Sequence, residues 1–442
     1  MRSKFPATFW TANTIELFER AAYYSVASFV VIYLNETLGM APTKSTFLNG
    51  TLLWGLIYFL PILSGTLADK FGFKKALTLA FFLLSLGYLI MGNLTRFWPG
   101  LSGRTGTAID YTLPVVIGIV LIGVGGSFVK PVISGTVQKT SGHLATLGFG
   151  IFYMVINIGS MTGRTASYFV RTSFGIPAIF AYVATTAALI GLAVTLLIYQ
   201  EPQYQTVTEA GAKPKTVRQA LIGMITVLKN IRFVFFLVVI GFFWFIYVQI
   251  YNLIPLYLRF VDPDAPVELY TLMNPVMIVC FQLVITRLSK SWTSVKSIMA
   301  GVIVTVIGMV LNIVPTLLHQ DARTPIDLGA FVLPAAGLFI LISLASMAIG
   351  EMLASPRIYQ YIGSIAPKGQ EGLYLGYSNL PLALGTIVGA PLGGILFTNL
   401  VKNPAAQGLP PQTTLMWLIV AAMGVVSLVG LYIYDRLLIK TQ

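Results

Sequence analysis

Apolar residues run along this chain in long blocks separated by short polar stretches. The blocks fall near 12–36, 46–68, 76–94, 112–138, 144–171, 177–199, 231–258, 267–288, 295–318, 328–362, 371–399 and 412–436. A bilayer core takes roughly 20 helical residues to cross, so the pattern predicts twelve transmembrane helices. One stretch breaks the rhythm. Residues 201–230 hold Glu201, Pro202, Lys213, Lys215, Arg218 and Lys229. They read as a cytoplasmic linker between an N-terminal six-helix bundle, 1–200, and a C-terminal one, 231–442. Two halves of equal helix count predict a duplicated architecture with a central site.

Composition sharpens this into an all-α membrane protein. Hydrophobic residues make up 56% of the chain, charged residues 10%, and mean hydropathy is +0.82. The net charge of +13 does not imply a nucleic-acid partner. With a cytoplasmic N-terminus, most lysines and arginines fall on the cytoplasmic side, which is the positive-inside asymmetry. Both termini are therefore expected in the cytoplasm. The basic start (Arg2, Lys4) runs into a charged helix with no small-residue cleavage site, so no cleavable leader is expected. A single cysteine, Cys280, and two loop histidines, His143 and His319, give no basis for a disulfide or a metal centre. No nucleophile–base pair stands out, so the chain is not read as an enzyme.

Charge inside the apolar blocks is where chemistry is expected. Glu16, Glu19 and Arg20 lie in the first predicted helix. Each ionised group near a membrane centre costs at least roughly 2.5–3.5 kcal/mol. Their spacing puts them on one face, where both carboxylates reach the guanidinium. Tyr23 continues the stripe and Tyr24 lies beside it. Such a face points at a water-filled path or a partner, not at lipid.

Further along, Gly65-Thr66-Leu67-Ala68-Asp69-Lys70-Phe71-Gly72 joins helices 2 and 3. Its glycines permit close helix ends, and Asp69 can stabilise a terminus. Helix 4 carries Gly123, Gly125 and Gly126 before Lys130. No strand precedes these glycines, which excludes a nucleotide loop, and tight helix packing explains them. Helix 5 reads Phe152-Tyr153-Met154-Val155-Ile156-Asn157-Ile158-Gly159-Ser160, with Arg164 two turns beyond Asn157. Helix 7 offers Trp244 and Gln249, helix 8 Asn274, and helix 11 Tyr377-Ser378-Asn379. Helix 10 holds Glu351 and Ser355 in Gly350-Glu351-Met352-Leu353-Ala354-Ser355-Pro356. A lone carboxylate deep in an apolar helix reads as a binding or protonation site.

The loop resembles the G-x-L-A-D-[RK]-x-G signature of the major facilitator superfamily. The E-x-x-E-R with paired tyrosines, the F-Y-x-x-I-N-x-G-S, the lysine of helix 4 and the G-E-x-x-x-S-P together resemble one branch, the proton-dependent oligopeptide transporters. The resemblance implies the major facilitator fold, and a proton-coupled symporter importing di- and tripeptides by alternating access. It implies a proton-coupling set of Glu16, Glu19, Arg20 and Lys130. It implies substrate contacts at Tyr23, Tyr24, Tyr58, Lys130, Asn157, Trp244, Gln249, Glu351 and Ser355, with Glu351 taking the peptide amine. Gly65, Asp69 and Gly72 become a cytoplasmic gating loop. No cofactor is expected beyond the proton gradient. The partners are short peptides, protons and the bilayer, with no nucleic acid, and the chain is expected to be a monomer in a bacterial inner membrane.

Three positions depart from the family pattern. The usual basic residue seven positions after the motif arginine is Ala27. The acid before the helix 7 glutamine is Val248, and Ser378 replaces a tryptophan. Arg164 is the candidate substitute for the missing carboxylate clamp, since it lies as far outward of Asn157 as Ala27 does of Arg20. The alternatives are a nitrate or organic-anion symporter on the same fold, a drug/proton antiporter, or a non-transporting membrane sensor.

Overall fold

The computed structural model describes residues 5–99, 101, 110–202, 227–329, 332–366, 374 and 377–439. Most of the expected 201–230 linker lies outside the described residues. By internal contacts the chain divides into two compact units. The first comprises Met1–Ala27, Thr37–Gly39 and Gly55–Ile222; the second comprises Ser28–Glu36, Met40–Trp54 and Gly223–Gln442.

The first unit holds α1 (Ala7–Ala27), α2 (Pro61–Phe71), α3 (Phe73–Gly92), α4 (Thr112–Ser141), α5 (Ala145–Phe174) and α6 (Thr185–Leu197). The second holds α7 (Ile231–Tyr247), α8 (Val267–Leu288), α9 (Ser294–Leu311), α10 (Ala335–Ile365), α11 (Leu380–Phe397) and α12 (Thr413–Ile433). Nine helices among the described residues are long and apolar enough to cross a bilayer, or ten if Ala7–Ala27 and Val30–Thr37 are one broken span.

Several elements differ from the sequence pattern in their bounds. Pro61 opens α2, inside the expected 46–68 span, and cannot extend the preceding helix without losing a backbone donor. Helix 10 begins at Ala335, not near 328. Pro325–Asp327 and Val332–Pro334 pair as a short antiparallel hairpin, with Pro325 opposite Pro334. The expected helix 7 runs as one span, Ile231–Val261, with an irregular stretch inside it. After Tyr247 a tight turn runs from Val248 to Tyr251, and a helix resumes at Leu253–Val261.

Packing in the first unit is set by small residues. A Cβ on Gly159 would sit 2.7 Å from the Leu17 carbonyl oxygen, and one on Gly163 would collide with Ala21. These glycines let α5 lie directly on the backbone of α1. Ser167 Oγ then reaches the Ser25 carbonyl at 2.8 Å. Between α2 and α3, Gly72 turns the chain at φ +94°, a conformation that only glycine adopts freely. Glu201 accepts from the backbone N–H groups of Phe73 (3.2 Å) and Lys74 (2.8 Å), satisfying donors at the start of α3.

The second unit ties its own early segments down by polar contacts. Ser28 and Thr271 hydroxyls meet at 2.9 Å, and Asn49 Nδ2 donates to Asn252 Oδ1 at 3.1 Å. Arg259 donates two hydrogen bonds to Glu36, at 3.0 and 2.8 Å.

Candidate functional site

The first-unit site is built on α1. Glu16 and Glu19 are each 1% exposed and Arg20 is 9% exposed. Arg20 Nε donates to Glu19 Oε2 and lies 3.5 Å from Glu16 Oε1. One guanidinium thus faces two buried carboxylates. Neither Glu16 oxygen accepts a hydrogen bond among the described residues. Lys130, part-buried on α4, is within electrostatic reach of Glu16. The cluster therefore gathers the proton-coupling set expected from the sequence around one helix face. A buried carboxylate in a dry environment settles only with a cation or a proton.

Aromatic rings continue the face. Arg20 lies over Tyr23 at 5.0 Å and near Tyr24 at 5.8 Å, and the two rings meet edge to face. Arg164 approaches the Tyr24 ring at 4.6 Å and donates to Ser160 Oγ. Tyr24 thus stands between two guanidinium groups, each attracted by the ring's negative face. The close α1–α5 approach allowed by Gly159 and Gly163 is what brings Arg164, itself 1% exposed, to Tyr24. Asn157 is buried and its amide donates to the Tyr153 carbonyl one turn back, at 2.9 Å. Tyr58 is part-buried on the short helix Gly55–Phe59.

Sequence reading missed Tyr88. It comes from α3, is 1% exposed, and its hydroxyl makes no hydrogen bond among the described residues. Glu19 and Arg20 are the charged groups that act on it. The available signal was faint: Ser85 and Tyr88 are polar positions one turn apart in an otherwise apolar helix.

The second-unit site centres on Glu351. Asn274 Nδ2 donates to Glu351 Oε2 at 3.0 Å across α8 and α10. Asn274 had no role from spacing alone; the structure places it on the carboxylate. One turn beyond Glu351, the Ser355 hydroxyl is buried with no hydrogen-bond partner among the described residues. Trp244 is buried edge-on against Tyr247, and its indole N–H makes no hydrogen bond among the described residues. Gln249 is fully buried, and its amide donates to the Phe245 (3.0 Å) and Gly389 (2.9 Å) carbonyls. The first bond runs from the turn that follows α7 back to that helix, and the second ties that turn to α11. Asn252 donates to the Val248 carbonyl at 2.8 Å. Val248 itself is fully buried.

The stretch 65–71, expected as a loop, is the second half of α2; there Gly65 lies against Pro131 of α4, and Ser64 Oγ donates to the Ser127 carbonyl at 2.7 Å, which binds α2 to α4. The Asp69 side chain lies outside the described residues. Among the described residues, no group of three or more His, Cys, Asp or Glu is placed to hold a metal ion.

Against known proteins, the Major Facilitator Superfamily model matches residues 14–322. Dipeptide and tripeptide permease A of Klebsiella pneumoniae is 29% identical over 216 residues, and that of Escherichia coli is 28% identical over 216 residues. In each case the match takes in 48% of this chain and 39% of the relative. The chain thus spans about two fifths of the length of these curated relatives. Among solved structures, one described by substrate recognition in proton dependent oligopeptide transporters aligns with TM-score 0.71 at 21% identity, covering 97% of this chain and 99% of that one. A POT family transporter in complex with 5-aminolevulinic acid aligns with TM-score 0.71 at 17% identity, covering 98% and 96%. The architecture is the one these transporters share, and the likeness read from the helix 1, 4, 5 and 10 motifs is the one the comparisons return.

Proposed function

The chain belongs to the Major Facilitator Superfamily, and on that premise we propose that it is a proton-coupled symporter importing di- and tripeptides by alternating access in a bacterial inner membrane. The carrying observation is the buried arrangement of Glu16 and Glu19 around the single guanidinium of Arg20. The names of its bacterial relatives, which are dipeptide and tripeptide permeases, support the substrate class.

Coupling follows from competition. While both carboxylates are ionised, they hold Arg20, and Glu16 also draws on Lys130. A proton on one carboxylate removes a negative charge from the set and releases a cation to meet a peptide carboxylate. Loss of the proton returns the cation to its acid and drives the peptide off. Glu351, which accepts a hydrogen bond from Asn274, meets the peptide's amino terminus. Aromatic groups such as Tyr23, Tyr24 and Trp244 tolerate varied side chains. Arg164 substitutes for the basic residue absent at Ala27. The proton gradient is the sole driving force, no cofactor takes part, and a monomer suffices.

A second reading, symport of nitrate or another small anion, draws on one observation. The position before Gln249 is an apolar, fully buried valine, so this segment brings no acid to repel an anion. Purified protein in liposomes, with an imposed inward proton gradient, separates the two. Labelled dipeptide is expected to accumulate above equilibrium, and nitrate is not. Accumulation of nitrate without dipeptide would overturn the peptide reading.

A further inference from the structure

Away from the charge cluster, the first unit carries an open groove of about 600 Å³ between α3 and α6. Leu79 and Phe82 of α3 and Leu192 and Leu196 of α6 form its walls; Lys74 and Lys75 line the end where α3 begins. Leu79, Phe82 and Leu196 are each about half exposed. Glu201 accepts from the Phe73 and Lys74 backbone N–H groups at this end. Neither lysine side chain makes an ion pair or hydrogen bond among the described residues.

We propose that this groove binds one anionic glycerophospholipid, with its phosphate at Lys74 and Lys75 and an acyl chain laid along Leu79, Phe82, Leu192 and Leu196. The length fits that division of labour. Lys74 to Phe82 is eight residues, about 12 Å along a helix, with ammonium groups at one end and hydrocarbon at the other. Lysine stems can lie on apolar surface while their heads reach a charged layer. Basic pockets between helices at the membrane edge recognise anionic headgroups. A free phosphate gains nothing from the four apolar walls. A zwitterionic lipid brings a cationic ammonium group that the two lysines repel. The proposal is independent of what the protein transports.

The test uses the full chain, purified in mild detergent, with phosphatidylglycerol added and the retained lipid counted by native mass spectrometry. Phosphatidylcholine and glycerol 1-phosphate are the comparison probes. Wild-type protein is expected to retain one phosphatidylglycerol in preference to phosphatidylcholine, undisplaced by glycerol 1-phosphate. Lys74→Gln/Lys75→Gln should weaken retention about thirtyfold, since each lysine near an anionic surface contributes roughly a factor of five. Lys74→Arg/Lys75→Arg should restore it, and Leu192→Trp, which fills the groove, should also weaken it with both lysines present. Lys290→Gln/Lys296→Gln, in the second unit, should leave it unchanged. Equal retention by the wild type and the Lys74/Lys75 glutamine variant would overturn the site. So would equal retention of the two lipids, or displacement by glycerol 1-phosphate. If the glutamine pair misfolds, the arginine pair and Leu192→Trp decide the matter alone.

Discussion

The two units each hold carboxylates in apolar helices, and they partner them differently. In the first, Glu16 and Glu19 share Arg20. In the second, Glu351 takes a neutral donor, Asn274. Two acids on one guanidinium compete for it, with Lys130 of α4 also within electrostatic reach of Glu16. The Asn274 amide brings no charge to Glu351. Under the proposed function, the contrast puts coupling in the first unit and amine recognition in the second. Neighbouring arginines make the same point. Arg20 and Arg164 are buried around Tyr24, whereas Arg259 holds Glu36 where water has partial access.

The largest expected effect is loss of coupling. Glu19→Gln should abolish proton-driven accumulation of dipeptide while leaving counterflow exchange intact in liposomes. If accumulation against a gradient survives, the sharing of Arg20 is not the coupling device. Next comes Arg164→Ala. Removing a fully buried side chain that packs on Tyr24 should cost about 2–5 kcal/mol of stability, read as a fall in thermal unfolding temperature in detergent. Arg164→Lys should recover part of it, because the cation over the ring is kept. A role for Arg164 in reading the substrate carboxylate predicts more: the lysine variant should discriminate dipeptides from C-amidated analogues, and an equal loss of affinity for both in the alanine variant would remove that role.

Glu351→Gln probes the other unit. A hydrogen bond to a charged group contributes about 1.5–3 kcal/mol, so affinity for peptides with a free amine should fall roughly ten- to a hundredfold. N-acetylated peptides should be unaffected in competition assays. An equal fall for both would mean that Glu351 is structural, and the contrast between units would fail. Glu36→Gln is expected to cost no more than about 1 kcal/mol, because that ion pair is part-exposed. The smallest effect belongs to Tyr88→Phe. Its hydroxyl has no hydrogen-bond partner among the described residues, so unfolding should shift by less than about 1 kcal/mol. Uptake measured across pH should nonetheless move, because Tyr88 lies within electrostatic reach of Glu19 and Arg20. An unchanged pH profile would exclude Tyr88 from the set.

Period and charge along the chain were enough to determine the broad plan. Apolar blocks of membrane length demand helices, since a lipid interior leaves backbone groups no other partner. Glu16, Glu19 and Arg20 declare their mutual contact by spacing on a single helix, and Gly72 declares its turn. Those are local facts, and local facts are legible in one dimension. The tertiary structure decided everything that joins separate helices. It placed Asn274 on Glu351, Tyr88 within electrostatic reach of Glu19 and Arg20, and Arg164 on Tyr24, the last only because Gly159 and Gly163 admit α1 so closely. It also gave Gln249 two backbone partners, the Phe245 and Gly389 carbonyls. A polar side chain in an apolar block announces only that it needs a partner. Which partner it finds depends on helix rotation and approach distance, and those are set by packing across the whole unit.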